Sequence, residues 1–258
     1  MVSFTGSVET GSAIMASAAA NITKVNLELG GKAPAIVLAD ADIDLAVNSI
    51  KASRVINSGQ VCNCAERVYV DRRVADQFTE KLAAAMAQTR YGDPLGDKPV
   101  DYGPMINEAG FHKVDKLVQG AVAAGATLVT GGKRAPSDAG FYYEPTVLAG
   151  CRQDMEIIRK EVFGPVSPIV TFHDLDEAIA YSNDSDYGLT SSIYTRDLNT
   201  ALRACQEIRF GETYINRENF EAMQGFHAGV RKSGIGGADG KHGLYEYTQT
   251  HIVYIQRH

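Results

Sequence analysis

Cys62 lies in the run Asn57-Ser-Gly-Gln-Val-Cys-Asn-Cys-Ala-Glu-Arg67. A cysteine is a potent nucleophile once deprotonated, provided it is held rigidly and can still be reached. A helical pattern enters this run from Asp42, with Ile43, Ala46, Val47 and Ile50 on one face, and Gly59 stands where a helix C-terminal glycine would. The strand-like Arg67-Val-Tyr-Val-Asp71 follows, so Cys62 is expected on a short connection. A free cysteine is also a common packing residue; Cys64 reads as packing or a bystander thiol, and Cys151 and Cys205 have no partners at motif spacing. No second Cys/His pair at ligand spacing follows Cys62 and Cys64, so no metal site is expected.

Glu28 is a candidate general base, although a surface carboxylate is the plainer reading of an isolated Glu. It sits between Leu27 and Leu29 at the end of a strand pattern, beside Gly30-Gly31, where a tight turn lets a carboxylate reach into a cleft. Glu221 and His227, near Phe220 and Phe226, read as polar groups of an aromatic-walled pocket; a loop histidine with satisfied bonds is the plainer reading of His227. Phe4-Thr5-Gly6-Ser7 reads as a strand end running into a helix that Ser7 caps, continuing through Ala20. Such a junction can hold a phosphate, although Ser12 stands where a P-loop lysine would be. By itself Glu161 to Pro165 is a Gly-Pro turn.

These residues are carried by alternating helical and strand patterns. Helices are predicted near Asp42–Ile56, Val74–Arg90, Asn107–Ala124, Leu175–Ser182 and Leu198–Ile208. Strands are predicted near Val2–Thr5, Val25–Leu29, Ala35–Leu38, Thr127–Thr130, Val166–Phe172, Ser191–Tyr194 and Thr213–Asn216. That alternation predicts an α/β fold on a mostly parallel sheet. Tyr91–Pro104 and Arg134–Gly140 read as loops, and Gly225–Gly243 as either a linker or an ordered glycine-rich return. Tyr247–Gln256 reads as a terminal strand whose open edge would seek a partner.

The 258 residues suffice for one large domain or two small ones. A net charge of −6 with no Lys/Arg cluster argues against nucleic acid and anionic membranes, and no apolar run is long enough for a membrane span. Met1 to Gly6 lacks the features of a signal peptide, and four cysteines suggest no disulfide scaffold, so a cytoplasmic setting is expected.

Taken together, Glu28-Leu-Gly-Gly-Lys32, Gly59-Gln-Val-Cys62, Glu161-Val-Phe-Gly-Pro165 and Phe4-Thr-Gly-Ser7 resemble the aldehyde dehydrogenase superfamily in order and spacing, over essentially the whole chain. The resemblance implies NAD- or NADP-dependent oxidation of an aldehyde through a thiohemiacetal and thioester on Cys62, with Glu28 as the base. It places Thr5, Gly6, Ser7, Leu29, Glu161 and Phe163 at the cofactor. Asn216–His227 and Lys232–His242 resemble the branch acting on small hydroxyaldehydes such as lactaldehyde or glycolaldehyde, with Glu221 and His227 meeting the substrate hydroxyl. The motifs belong to that family's C-terminal half. Residues 1–29 would be a remnant of a dinucleotide-binding domain, 30–226 the catalytic domain, 227–245 a return to the former and 246–258 an oligomerisation strand joining subunits. The family's oxyanion asparagine and adenosine contacts would then lie outside the chain. A homo-oligomer is expected, with weak NAD binding and little turnover by the chain alone. A redox-inactive binding domain with a reactive cysteine is the alternative.

Overall fold

The computed structural model describes residues 1–136 and 140–257. Among the described residues ten strands form two sheets. In chain order they are β1 (Val2–Thr5), β2 (Val25–Glu28), β3 (Ala33–Val37), β4 (Ala65–Asp71), β5 (Thr127–Thr130), β6 (Thr146–Ala149), β7 (Val166–Phe172), β8 (Thr190–Tyr194), β9 (Glu212–Ile215) and β10 (Gly234–Ile235). The larger sheet has the order β5-β6-β7-β4-β3-β8-β9. Only the β5–β6 pair in it is antiparallel. The smaller sheet has the order β1-β2-β10, with β1 parallel and β10 antiparallel to β2. The fold is therefore α/β with a mostly parallel sheet, as the alternation of patterns predicts.

Strands β3 and β4 are central and buried along their whole length. Because successive side chains leave a strand on opposite faces, they feed two cores. Ile36, Tyr69 and Val170 pack with Phe111, Val114 and Leu117 of helix Glu108–Ala123. Ala35, Val37, Val68 and Val70 pack with Ala46, Val47, Ile50, Phe78 and Leu82 of helices Ile43–Val55 and Ala75–Ala87. Asp42 starts the first of these helices by accepting the Leu45 amide. The helix ends at Val55, earlier than Gly59 suggests, because Asn57, Ser58 and Gly59 all take positive φ, at 47°, 60° and 72°. A left-handed run cannot continue a right-handed helix.

Two other departures from expectation stand out. Tyr247–Gln256 is no strand: a helix spans Gly240–Glu246, and no regular structure follows it through residue 257. Of the two readings of the glycine-rich return, the ordered one holds, since it contains β10 and that helix. Strand β6, which sequence patterning misses, is only four residues between β5 and β7. The loop expected at Arg134–Gly140 lies partly outside the described residues. No described helix is long and apolar enough to cross a membrane.

Candidate active site

The chain passes from the small sheet to the large one at Gly30–Lys32, between β2 and β3, and the site lies at this crossing. At Gly31 a side chain is impossible: a Cβ would lie 1.9 Å from the Cys62 carbonyl oxygen. Gly31 thus lets the nucleophile loop close onto the end of β2. Its amide donates to Glu161 Oε1 at 2.7 Å, and a Cβ on Gly30 would meet that carboxylate at 2.9 Å. The two glycines hold Glu161 against the turn.

Cys62 is partly exposed, whereas Cys64 and Cys151 are buried. Burial pushes both of those thiols up to about 12. Cys62 lines a cavity of about 450 Å³ together with Thr5, Gly6, Ser7, Leu29, Gly30 and Glu161; Gln60, Val61, Lys113 and Phe163 complete it. That volume suits a small-molecule site. Every residue the sequence associates with a cofactor is therefore found around one cavity with the candidate nucleophile. Ser7 accepts the Thr10 amide at 3.2 Å at the start of helix Val8–Ala19, so the cavity borders a helix N-terminus.

Glu28, Glu221 and His227 do not line this cavity. Glu28 is buried, and neither carboxylate oxygen has a hydrogen-bond partner among the described residues. Burial pushes Glu28 up to about 7, against the pull of His227; Glu212, Asp239 and Glu221 add to the rise. Its Oε2 lies 3.7 Å from His227 Nε2. Burial disfavours the His227 cation, but hydrogen bonding to Cys62 and Glu212 and the nearby carboxylates outweigh that, so its pKa is raised. His227 is therefore beside both Cys62 and Glu28. Glu221 Oε2 accepts from Asn63 Nδ2 at 2.5 Å, next in sequence to Cys62. Asn63 is fixed in turn by Thr190, which donates to its carbonyl at 2.7 Å.

Behind the loop lies a buried charge cluster. Glu66 takes Lys32 Nζ at 2.7 Å and Arg54 Nη1 at 3.1 Å, and all three side chains are almost wholly sealed from solvent. It also accepts the amides of Val162 and Phe163 at 2.9 and 3.0 Å. Phe163 has φ of 57°, a costly left-handed conformation for an aromatic residue. Arg54 donates to the carbonyls of Ala65, Gly59 and Gly164. One carboxylate and one guanidinium thus tie the nucleophile loop to the Glu161–Phe163 wall. Burial alone would raise the Glu66 pKa, but the adjacent cations hold it down at about 2; burial pushes Lys32 down to about 8.

Asn63, Lys113, Glu212 and the Arg54–Glu66 pair escape sequence reasoning. Lys32 and Glu66 carry the one available signal, a charge at the end of the Glu28–Lys32 motif and another four residues past Cys62. Among the described residues no group of three or more His, Cys, Asp or Glu could hold a metal ion.

Comparison with known proteins gives a consistent picture. The profile of the aldehyde dehydrogenase family matches residues 1–253. The chain is 61% identical to lactaldehyde dehydrogenase of Escherichia coli over 99% of its own length and 53% of that protein. The crystal structure of that enzyme superposes with a TM-score of 0.97, covering 100% of this chain and 54% of that one. It is 42% identical to 3,6-anhydro-alpha-L-galactose dehydrogenase of Streptomyces coelicolor, over 99% of this chain and 52% of the other. A Staphylococcus aureus betaine aldehyde dehydrogenase solved in complex with NAD+ matches at 38% identity and a TM-score of 0.91, over 95% of this chain and 49% of that one. The chain spans about half the length of the curated relatives it matches.

Proposed function

The chain belongs to the aldehyde dehydrogenase family, and from that premise we propose that it carries the catalytic centre for nicotinamide-dependent oxidation of a small hydroxyaldehyde to its acid. The observation carrying this reading is that His227 sits between Cys62, on the wall of the cavity, and a buried Glu28 whose carboxylate oxygens have no hydrogen-bond partner among the described residues. A redox-inactive binding domain has no observation in its favour.

The Cys62 sulfur adds to the aldehyde carbon and makes it tetrahedral, the form from which hydride can leave. A nicotinamide dinucleotide, NAD or NADP, supplies the hydride acceptor when bound. Glu161, Phe163, Leu29 and the Thr5–Ser7 turn are the residues that would hold it, because they share the cavity with Cys62. Glu28 then takes a proton from water, the oxygen attacks the Cys62 thioester, and the acid departs as the thiol is restored. Since the Glu28 pKa lies at about 7, its basic form grows as pH rises through 7, and thioester hydrolysis should accelerate over the same range.

Glu221, held by the Asn63 side chain next to Cys62, and His227, which hydrogen-bonds Cys62, suit a substrate hydroxyl. NADH formation with glycolaldehyde and hexanal tests the whole reading. A preference for glycolaldehyde of roughly 10- to 100-fold in kcat/KM is expected, because hexanal leaves buried polar groups unpaired. A preference for hexanal would rule the hydroxyaldehyde reading out.

The nucleophile has its own check. Brief iodoacetamide treatment near neutral pH should alkylate Cys62 ahead of the buried Cys64 and Cys151 and ahead of the partly exposed Cys205. Mass spectrometry showing any of those three labelled first would count against Cys62.

We also read the smaller sheet, with the return through β10, as the cofactor-side part of the chain, and residues 246–257 as a segment that pairs between subunits. Ile252, Val253, Tyr254 and Ile255 are 66–90% exposed, an apolar run unusual for a solvated tail. Size-exclusion chromatography should show a smaller assembly once this segment is removed; an unchanged elution volume would sink the idea.

A further inference from the structure

His227 is gripped from two sheets. Its Nδ1 lies 2.6 Å from Oε1 of Glu212, on β9 of the large sheet. Its Nε2 lies 3.7 Å from Oε2 of Glu28, on β2 of the small one. Glu212 also accepts the hydroxyl of Tyr214, two residues along the same strand. An ionised carboxylate only accepts hydrogen bonds, so Nδ1 must carry a proton. A second carboxylate opposite Nε2 favours a proton there as well. We propose that Glu212 is a positioning residue: it fixes His227 as a cation beside Glu28 and so sets the pH at which Glu28 becomes a base. This rests on the reading of Glu28 as the base that hydrolyses the Cys62 acyl-enzyme.

The surroundings leave His227 in charge of that balance. The ionisable groups acting on Glu28 are His227, Glu212, Asp239 and Glu221, and of these His227 alone favours the ionised form. Those acting on His227 are Cys62, Glu212 and Glu28. Removing the Glu212 charge therefore has two opposed effects. It takes one anion from the neighbourhood of Glu28, which eases ionisation. It also releases His227 toward the neutral imidazole that burial prefers, which hinders ionisation of Glu28. The second effect is the larger, because His227 faces Glu28 directly and outweighs Glu212 in its influence there.

The test uses the chain as it stands with p-nitrophenyl acetate. Cys62 sulfur displaces nitrophenolate as a burst, and water then releases acetate from the thioester in the steady phase. In Glu212→Gln the acid limb of the steady phase should move up by about one pH unit, the size of shift one neighbouring charge commonly makes. Glu212→Asp, which keeps the charge, should stay nearer the parent. A lower amplitude with an unmoved limb would mean that Glu212 only supports the fold, and the inference falls. If Glu212→Gln does not fold, His227→Gln must move the limb upward in the same way, and an unmoved limb there is equally fatal. Absence of any burst in the parent chain would overturn the Cys62 reading and this inference with it, whereas a burst with an unmoved limb overturns this inference alone.

Discussion

Glu28→Gln should leave acylation of Cys62 intact and slow release of the acyl group by about 10²–10⁴-fold, the usual contribution of a positioned general base. The burst with an activated ester, or of NADH with an aldehyde, should survive while steady turnover collapses. Glutamine keeps the shape of the side chain and removes the proton acceptor, so the effect isolates the base. The substitution should cost no stability and should even stabilise the fold above neutral pH. The folded-state pKa of Glu28 is about 7 against an ordinary 4.5. The folded form therefore binds protons more tightly than the unfolded one, and its stability falls as pH rises from 4.5 through 7. If Glu28→Gln left the steady rate unchanged, another group would have to be the base.

The second large effect belongs to the fold. Glu66→Gln should destabilise the protein by about 3–5 kcal/mol, the range for breaking a buried ion pair from one side. The amide would leave Lys32 and Arg54, both fully buried, without their anion. It would also weaken the grip on the strained Phe163 amide. Denaturant unfolding measures the loss, and the double variant Glu66→Gln with Lys32→Met should recover part of it by removing one stranded cation. The sign of the pH dependence gives an independent check. With its folded pKa at about 2 against an ordinary 4.5, Glu66 contributes stability that is complete above 4.5 and is lost as pH falls toward 2. That acid slope should shrink in the variant. A loss below about 1 kcal/mol, with the slope intact, would show the cluster to be no more than neutral.

These two residues differ in how far sequence exposes them. Glu28 is legible because its neighbours carry the message: an apolar strand, two glycines and a motif that recurs with Cys62 and Glu161. The cavity residues Thr5 to Ser7 are legible for the same local reason, a strand end meeting a capped helix. Glu66 is different. Its partners are Lys32, Arg54 and the amides of Val162 and Phe163, up to 97 positions away, and no spacing rule predicts which distant cation a carboxylate will meet. Glu212 is hidden likewise, since it reaches His227 only after β9 has taken its place at the edge of the sheet. The terminal segment fails in the opposite way. Ile252 to Ile255 have the composition of a strand, but a strand forms only beside a partner edge, and no described segment pairs with them.

The antiparallel pairing of β10 with β2 sets a clock on the working protein. Glu28 faces Gly234 across that pair, and the Ser233 hydroxyl closes onto the Gly30 carbonyl at 2.7 Å. At 5–20 residues per second, a ribosome needs roughly 10–40 s to travel from the first of these partners to the second. During that interval Glu28 has no β10 to cover it and stays hydrated, with an ordinary acidity, and His227 has not been made for most of the time. A nascent chain can thus expose its cysteine loop while still lacking the buried base that would discharge an acyl group from it. Reactive aldehydes met at that stage would add to the thiol without being carried forward, so hydrolytic release of an acyl group from Cys62 should begin only after synthesis has passed Ile235.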